Sequence, residues 1–215
     1  MFQDRYDAGI RLAEKLQKYK DDSNTIVFAI PRGGVIVADV VCDQLNLPMD
    51  IVVTRKIGAP FNEEFAIGAV DSKGGKILNH NAINMIRVND EYIEKEAKRK
   101  AEEARARLKK YRGSDEYGSL SGKKVLLVDD GIATGYTVMA AINFLRELNP
   151  IKLILCTPVI APDTLTEMEK LVDEPVWLIS EEPFYAVGQF YKNFSQVSDE
   201  EVIRVLNKRK FSRDN

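Results

Sequence analysis

Residues 125–137 read Val125-Leu126-Leu127-Val128-Asp129-Asp130-Gly131-Ile132-Ala133-Thr134-Gly135-Tyr136-Thr137: four apolar residues, two adjacent acids, then a loop of glycines and threonines. An apolar run without polar alternation suits a strand buried on both faces, as parallel strands between helical layers are. In open α/β sheets ligands collect beyond the carboxyl ends of strands, where Asp129 and Asp130 emerge. Val138, Met139, Ala141, Ile142, Leu145 and Leu148 then follow at helical spacing, so the loop leads into a helix N-terminus. Free backbone N–H groups, the Thr134 and Thr137 hydroxyls and the positive end of that helix would converge on one point, which suits a phosphate. The two carboxylates cannot serve that phosphate, because like charges repel. They call for hydroxyls or a hydrated cation, and the implied ligand is a sugar phosphate with a free diol, accompanied by Mg²⁺. A buried strand, an Asp-Gly turn and a helix cap would explain the acids and glycine singly, but not two acids followed by Thr134, Gly135 and Thr137. The rival phosphate motifs, Gly-Lys-Ser/Thr of a P-loop and a dinucleotide-type Gly-x-Gly-x-x-Gly with its ribose-binding acid, are missing from the sequence.

Outward from this centre the chain alternates between strand-like and helix-like segments. Residues 25–30 form an apolar run, the turn Pro31-Arg32-Gly33-Gly34 follows, and Val35, Val37, Ala38, Val41 and Leu45 carry a helical pattern; this is the opening of a βαβ unit. Residues 49–53 give a second strand, 66–70 and 76–79 a hairpin, and 152–156 and 176–179 the last two strands, with a helix over 163–172. Helical spacing also marks residues 5–19, and Ser198 with Glu201 forms a capping box before a final helix over 202–206. Residues 90–111 fit no βαβ alternation and read as one long helix: Ile93, Ala97, Ala101, Ala104, Leu108 and Tyr111 share a stripe, while Glu91/Lys95, Glu94/Lys98 and Glu103/Arg107 are i,i+4 pairs on the solvated side. That stripe serves either packing on its own domain or a partner helix.

Composition bounds the rest. The chain has 215 residues, 45% of them hydrophobic, enough for one α/β domain with modest additions. A formal charge of −2 gives no footprint for nucleic acid, and no apolar stretch is long enough to cross a membrane. The opening residues Met1 to Tyr6 lack the basic-then-apolar layout of a signal peptide, and Cys42 and Cys156 sit in apolar periodic segments. A soluble, cytoplasmic protein with buried thiols is expected. His80 is the only histidine, which leaves no histidine-based metal cluster.

The stretch 125–137 resembles the phosphoribosyl diphosphate (PRPP) binding motif of type I phosphoribosyltransferases: four apolar residues, two acids and a Thr/Gly-rich turn, with every key position filled. The resemblance covers about 25–179 and implies a doubly wound, mainly parallel α/β sheet of about five strands. To this are added an inserted helix over about 89–113 and a small C-terminal hood or acceptor region over about 176–215, all in one domain spanning 1–215. It implies transfer of a phosphoribosyl group from PRPP to a nitrogenous acceptor, with Mg²⁺ as cofactor. Asp129 and Asp130 would hold the ribose hydroxyls, directly or through Mg²⁺ waters, and Gly131, Ile132, Ala133, Thr134, Gly135, Tyr136 and Thr137 would cradle the 5′-phosphate. Arg32, Gly33 and Gly34 match the diphosphate loop. Arg55, Lys56 and Glu64 fall in a Gly- and Pro-containing stretch at the place of the family's closing loop, where a plain surface loop is the alternative. Trp177, Phe184 and Tyr185 lie near the acceptor region, as stacking platforms or as core. One departure matters: 6-oxopurine members carry a further acid at the position of Ala133, which argues against hypoxanthine or guanine. Partners are then PRPP and an unidentified acceptor, without nucleic acid or membrane, in a homo-oligomer expected to be a dimer. A non-catalytic PRPP-binding module and a Mg²⁺-dependent hydrolase of phosphoribosyl compounds are the alternatives.

Overall fold

The computed structural model describes residues 1–211. Strands β1 (Thr25–Ala29), β2 (Met49–Ile51), β6 (Lys124–Val128), β7 (Lys152–Val159) and β8 (Glu174–Ile179) form one sheet in the order β2-β1-β6-β7-β8. Every pairing in it is parallel. The run Val125–Val128 is therefore central, and it is buried on both faces as its lack of alternation requires. On one face Val27, Ala29, Leu126, Val128, Ile154 and Cys156 pack with α1 (Arg5–Lys15), α2 (Gly33–Leu45), the end of α4 (Asp90–Arg112) and α7 (Asp199–Phe211). On the other, Phe28, Val125, Leu127, Leu153 and Leu155 pack with α5 (Tyr136–Glu147) and α6 (Pro162–Met168). The doubly wound parallel sheet expected from sequence is thus the one observed.

Strand order positions the site. β1 connects through α2 to β2 on one side, while β6 connects through α5 to β7 on the other. The chain reverses its winding direction between β1 and β6, and such a switch point leaves a crevice at the carboxyl ends of the two strands. Their register sets Ala29 beside Val128, so the turn at residues 31–34 and the acids at 129–130 emerge side by side.

A second, antiparallel sheet of β3 (Thr54–Ala59), β4 (Asn62–Asp71) and β5 (Lys76–Leu78) packs against α5 and α4. The hairpin at residues 66–79 is as expected, but residues 54–64, read from sequence as a closing loop or a plain surface loop, are strand and tight turn. Antiparallel pairing with β4 absorbs Gly58 and Ala59 through a register shift, and a Cβ on Gly58 would lie 2.6 Å from the Glu63 carbonyl oxygen. Helix α3 (His80–Ile86) was not legible in its polar opening; Asn79 caps it by accepting from the Ala82 N–H at 3.0 Å.

The long helix is present, and its stripe is buried within the chain. Ile93, Ala97 and Ala101 pack with the small sheet, whereas Ala104, Leu108 and Tyr111 enter the central core. One helix thereby bolts the two sheets together, with fully buried Leu108 alone contributing about 1.5–3 kcal/mol. Its charges pair differently from the i,i+4 expectation. Glu94 meets Lys76 and Glu103 meets Arg55 at 3.0 Å, both on the small sheet, while within the helix Glu103 pairs with Arg99 at 2.7 Å, an i,i+4 pair other than those expected. In the C-terminal region β8 joins the main sheet and α7 sends Val202 and Leu206 into the core. The loop between them packs Phe190 and Tyr191 on Phe2, Ala8 and Val159; residues 212–215 lie outside the described residues.

Candidate active site

The loop after β6 is held from behind. Ile132 forms a parallel bridge with Ile160 beyond β7: its N–H donates to the Val159 carbonyl, and its own carbonyl accepts from the Ala161 N–H, both at 2.9 Å. The Ala133 carbonyl accepts from the Thr164 hydroxyl at 2.5 Å, and the Thr137 carbonyl from the Thr54 hydroxyl at 3.1 Å. With these carbonyls turned to the protein side, the N–H groups face the other way. Among the described residues no protein acceptor meets the backbone N–H groups of Ala133 to Val138. Gly135 caps α5 at φ +76°, a left-handed conformation that L side chains rarely adopt, and a Cβ there would lie 2.6 Å from Met168 Cε. The result is a row of unpaired donors at a helix N-terminus, a ready anion site.

Asp129 and Asp130 stand beside this row. Asp129 Oδ1 accepts from the Asp130 N–H at 2.9 Å. Burial, and then the neighbouring Asp130 charge, push the Asp129 carboxyl well above the ordinary carboxylate range. Asp130 is paired: Arg5 Nε donates to its Oδ2 at 2.6 Å. Among the described residues no group of three or more His, Cys, Asp or Glu side chains could hold a metal ion. Two adjacent carboxylates, one of them costly to ionise alone, nevertheless suit a hard cation that takes its remaining oxygens from water and substrate.

The turn at residues 31–34 meets the acids directly. The Pro31–Arg32 peptide is cis, and the N–H groups of Gly33 and Gly34 open α2. A Cβ on Gly33 would lie 1.8 Å from Asp130 Oδ2, and one on Gly34 3.0 Å from Asp129 Cα; no other residue fits the backbone so close to the acids. Arg32 Nη1 lies 3.6 Å from Asp199 Oδ1 at the start of α7. Asp199 also accepts from Lys110 at 2.7 Å and from the Tyr111 hydroxyl at 2.5 Å, and the Lys110 contact first, then Tyr111, holds its carboxyl down to about 2.

The remaining sequence-derived residues are less gathered. Arg55 on β3 donates to Glu103 of α4 at 3.0 Å, while Lys56 and Glu64 are exposed on the hairpin. Phe184 packs on Phe190 with centroids 5.2 Å apart, Tyr185 is 84% exposed, and Trp177 lies on the edge strand β8. No ring pair joins these three among the described residues. The loop after β8 is nonetheless templated: Gln189 Oε1 accepts from the Tyr185 and Ala186 N–H groups at 2.7 and 3.1 Å, and Gln189 Nε2 donates to the Pro183 carbonyl at 2.7 Å. That loop touches the cradle, since a Cβ on Gly131 would lie 2.1 Å from Val187 Cγ1. Ser180, just past β8, has a buried hydroxyl oxygen with no partner among the described residues.

Sequence reading missed Arg5, Thr54, Thr164, Tyr191 and Asp199. Tyr191 donates its hydroxyl proton to the Asp130 carbonyl at 2.6 Å, and burial, then the Asp130 charge, push that hydroxyl's pKa upward. Only Arg5 left a signal: with Ala8, Gly9 and Leu12 it is the charged member of a buried helical stripe. The others act through contacts between distant segments.

Comparison with known proteins identifies the family. A family model described as "Phosphoribosyl transferase domain" matches residues 2–191. Two curated relatives from Mycobacterium tuberculosis, "Putative phosphoribosyl transferase Rv0571c" (strain ATCC 25618 / H37Rv) and "Putative phosphoribosyl transferase MT0597" (strain CDC 1551 / Oshkosh), are each 35% identical over 208 residues, 97% of this chain and 47% of the relative. The chain thus spans about half the length of these curated relatives. The crystal structure of TT1426 from Thermus thermophilus has a TM-score of 0.78 at 36% identity, covering 96% of this chain and 98% of that one. Since the match runs from the first turn of the fold through the acid pair and its loop to Tyr191, the chain belongs to the phosphoribosyl transferase domain family.

Proposed function

We propose that this chain transfers a 5-phosphoribosyl group from PRPP to a nitrogenous acceptor, such as a nucleobase, and releases diphosphate. The observation that carries this reading is the row of unpaired N–H groups from Ala133 to Val138 next to the carboxylates of Asp129 and Asp130. The row offers donors to a 5′-phosphate while the acids accept from the ribose 2′- and 3′-hydroxyls, so a single ligand must present an anion and a diol at fixed separation. Gly33 and Gly34 bring their N–H groups, with Arg32, to the other side of the acids, where the diphosphate of the same ligand would lie. Departure of diphosphate leaves oxocarbenium character at C1′, and the chain's part is to hold the ribose and neutralise charge on the leaving group. No protein nucleophile is needed. Mg²⁺, held by Asp129 and Asp130, would supply positive charge to the diphosphate when bound.

On the acceptor side, the loop held by Gln189 presents Tyr185, and Ser180 offers an unused hydroxyl nearby in sequence. Ala133 brings no acid for a purine nitrogen, which disfavours the 6-oxopurines. Cys42 and Cys156 are buried and form no disulfide among the described residues, which fits a cytoplasmic setting. The test is a screen of nucleobases and other amines with labelled PRPP and Mg²⁺, following diphosphate release. Release that depends on one acceptor class supports the transferase. Release without any acceptor identifies a hydrolase, and tight PRPP binding without release identifies a binding module.

A further inference from the structure

We infer that Arg5 is a positioning residue that fixes the Asp130 carboxylate for diol binding, by tying the first helix and the loop at residues 191–195 to the acid pair. Arg5 belongs to the first turn of α1 and lies 125 positions before Asp130 in sequence, yet its Nε is 2.6 Å from Asp130 Oδ2. Its side chain is 10% exposed. The guanidinium has little freedom: Nη1 donates to the Ser195 carbonyl at 2.8 Å, and its carbon sits 3.9 Å from the centre of the Phe194 ring. Tyr191 stacks next to Phe194 at 4.9 Å and holds the Asp130 carbonyl through its hydroxyl. The N-terminal segment locks onto the same stretch, with the Phe2 N–H donating to the Phe190 carbonyl at 2.7 Å and the Lys192 N–H to the Phe2 carbonyl at 2.8 Å.

This cluster acts on one oxygen of one acid. With Oδ2 taken by a planar fork that is anchored elsewhere, Asp130 cannot rotate, and Oδ1 is the oxygen left to receive a hydroxyl. A guanidinium suits this role better than an ammonium because it spans Asp130 and Ser195 at fixed angles. Gly33 lies against the same pair, its Cβ position 2.8 Å from Arg5 Nε, so the diphosphate loop, the acid and the arginine form one packed unit.

The inference rests on the phosphoribosyl reading above, and its test separates the two. Calorimetry with Mg²⁺ compares ribose 5-phosphate with 2,3-dideoxyribose 5-phosphate, which keeps the phosphate and lacks the diol, on the intact chain, Arg5→Met and Arg5→Lys. The intact chain should prefer the diol sugar, and Arg5→Met should lose roughly 10–100-fold of that preference, as loss of a supporting residue commonly does, while its affinity for the dideoxy sugar stays. Arg5→Lys should fall between. A preference retained in Arg5→Met, or equal weakening of both sugars, overturns the positioning role and leaves the phosphoribosyl reading intact. Should Arg5→Met not fold, a wild-type preference in Arg5→Lys overturns the inference. An intact chain that makes no distinction between the sugars overturns the phosphoribosyl reading and this inference with it.

Discussion

The proposed donor cradle at residues 129–137 and the hairpin of β3 and β4 both carry residues singled out from sequence, and they are built in opposite ways. In the cradle the backbone does the work: its carbonyls are consumed by Ala161, Thr164 and Thr54, and its N–H groups are left over. On the hairpin two charges are paired, Arg55 with Glu103 and Glu63 3.6 Å from Arg99, while Lys56 and Glu64 are exposed and Phe61 at the turn is fully exposed. A site made of backbone demands particular residues at particular positions, such as glycine where a Cβ would meet Asp130 at 1.8 Å. A salt-bridged surface tolerates many sequences, and its composition says little about what it does.

The sharpest way to break this comparison is to remove charge from the cradle. Asp129→Asn with Asp130→Asn should weaken PRPP binding by about a hundred-fold or more, the scale of losing buried charged partners, measured by calorimetry with Mg²⁺. Stability of the free protein should move the other way for Asp129→Asn. A carboxyl held above its ordinary pKa costs stability once ionised, so the ligand-free protein should lose stability as pH rises above about 3.9. That component should vanish in Asp129→Asn, as chemical denaturation across pH would report. Parallel losses of binding and stability would make the acids structural.

Steric change is next in size. Gly33→Ala forces a methyl group against Asp130 and Arg5, and overpacking of this kind costs about 1–3 kcal/mol, which denaturant titration would detect together with weaker diphosphate binding. Thr137→Val should weaken PRPP binding by roughly 1–3 kcal/mol if its hydroxyl meets the phosphate; a change confined to thermal stability would remove Thr137 from the cradle.

The hairpin should respond weakly. A double-mutant cycle of Arg55→Ala and Glu103→Ala is expected to give a coupling of about 0.2–1 kcal/mol, with PRPP affinity nearly unchanged. A loss of donor binding as large as that of the acid pair would make the hairpin part of the donor site and erase the contrast. The smallest expected effect is at Asp199, whose carboxyl Lys110 and Tyr111 hold down to about 2. Its folded-state pKa lies below the unfolded value of about 3.9, so its contribution is present above that pH and is lost as pH falls through about 2. Asp199→Asn should flatten stability over this window by no more than about 1 kcal/mol.

Much of the molecule could be read before it was seen folded. Val125–Val128 announced a strand buried on both faces, the order of strands and helices announced a parallel sheet, and the spacing of Ile93 to Tyr111 announced a long helix. The cradle was legible because two acids, two threonines and two glycines within a few positions satisfy one local steric and electrostatic demand. The strands within 54–64 were not legible because glycine and proline mark a tight turn and a longer loop alike. Helix α3 was hidden because Asn79 serves equally as a turn residue and as a cap.

By itself, then, the sequence determined the local order of strand, acids, donor loop and helix, since periodicity and the conformational needs of glycine act over a few residues. The folded chain alone decided that Arg5 reaches Asp130, that Tyr191 holds its carbonyl, that Thr164 and Thr54 turn the loop carbonyls away, and that Glu103 takes Arg55. Each of these joins side chains from distant segments, and such a contact exists only after the sheet order and helix packing have brought the segments together.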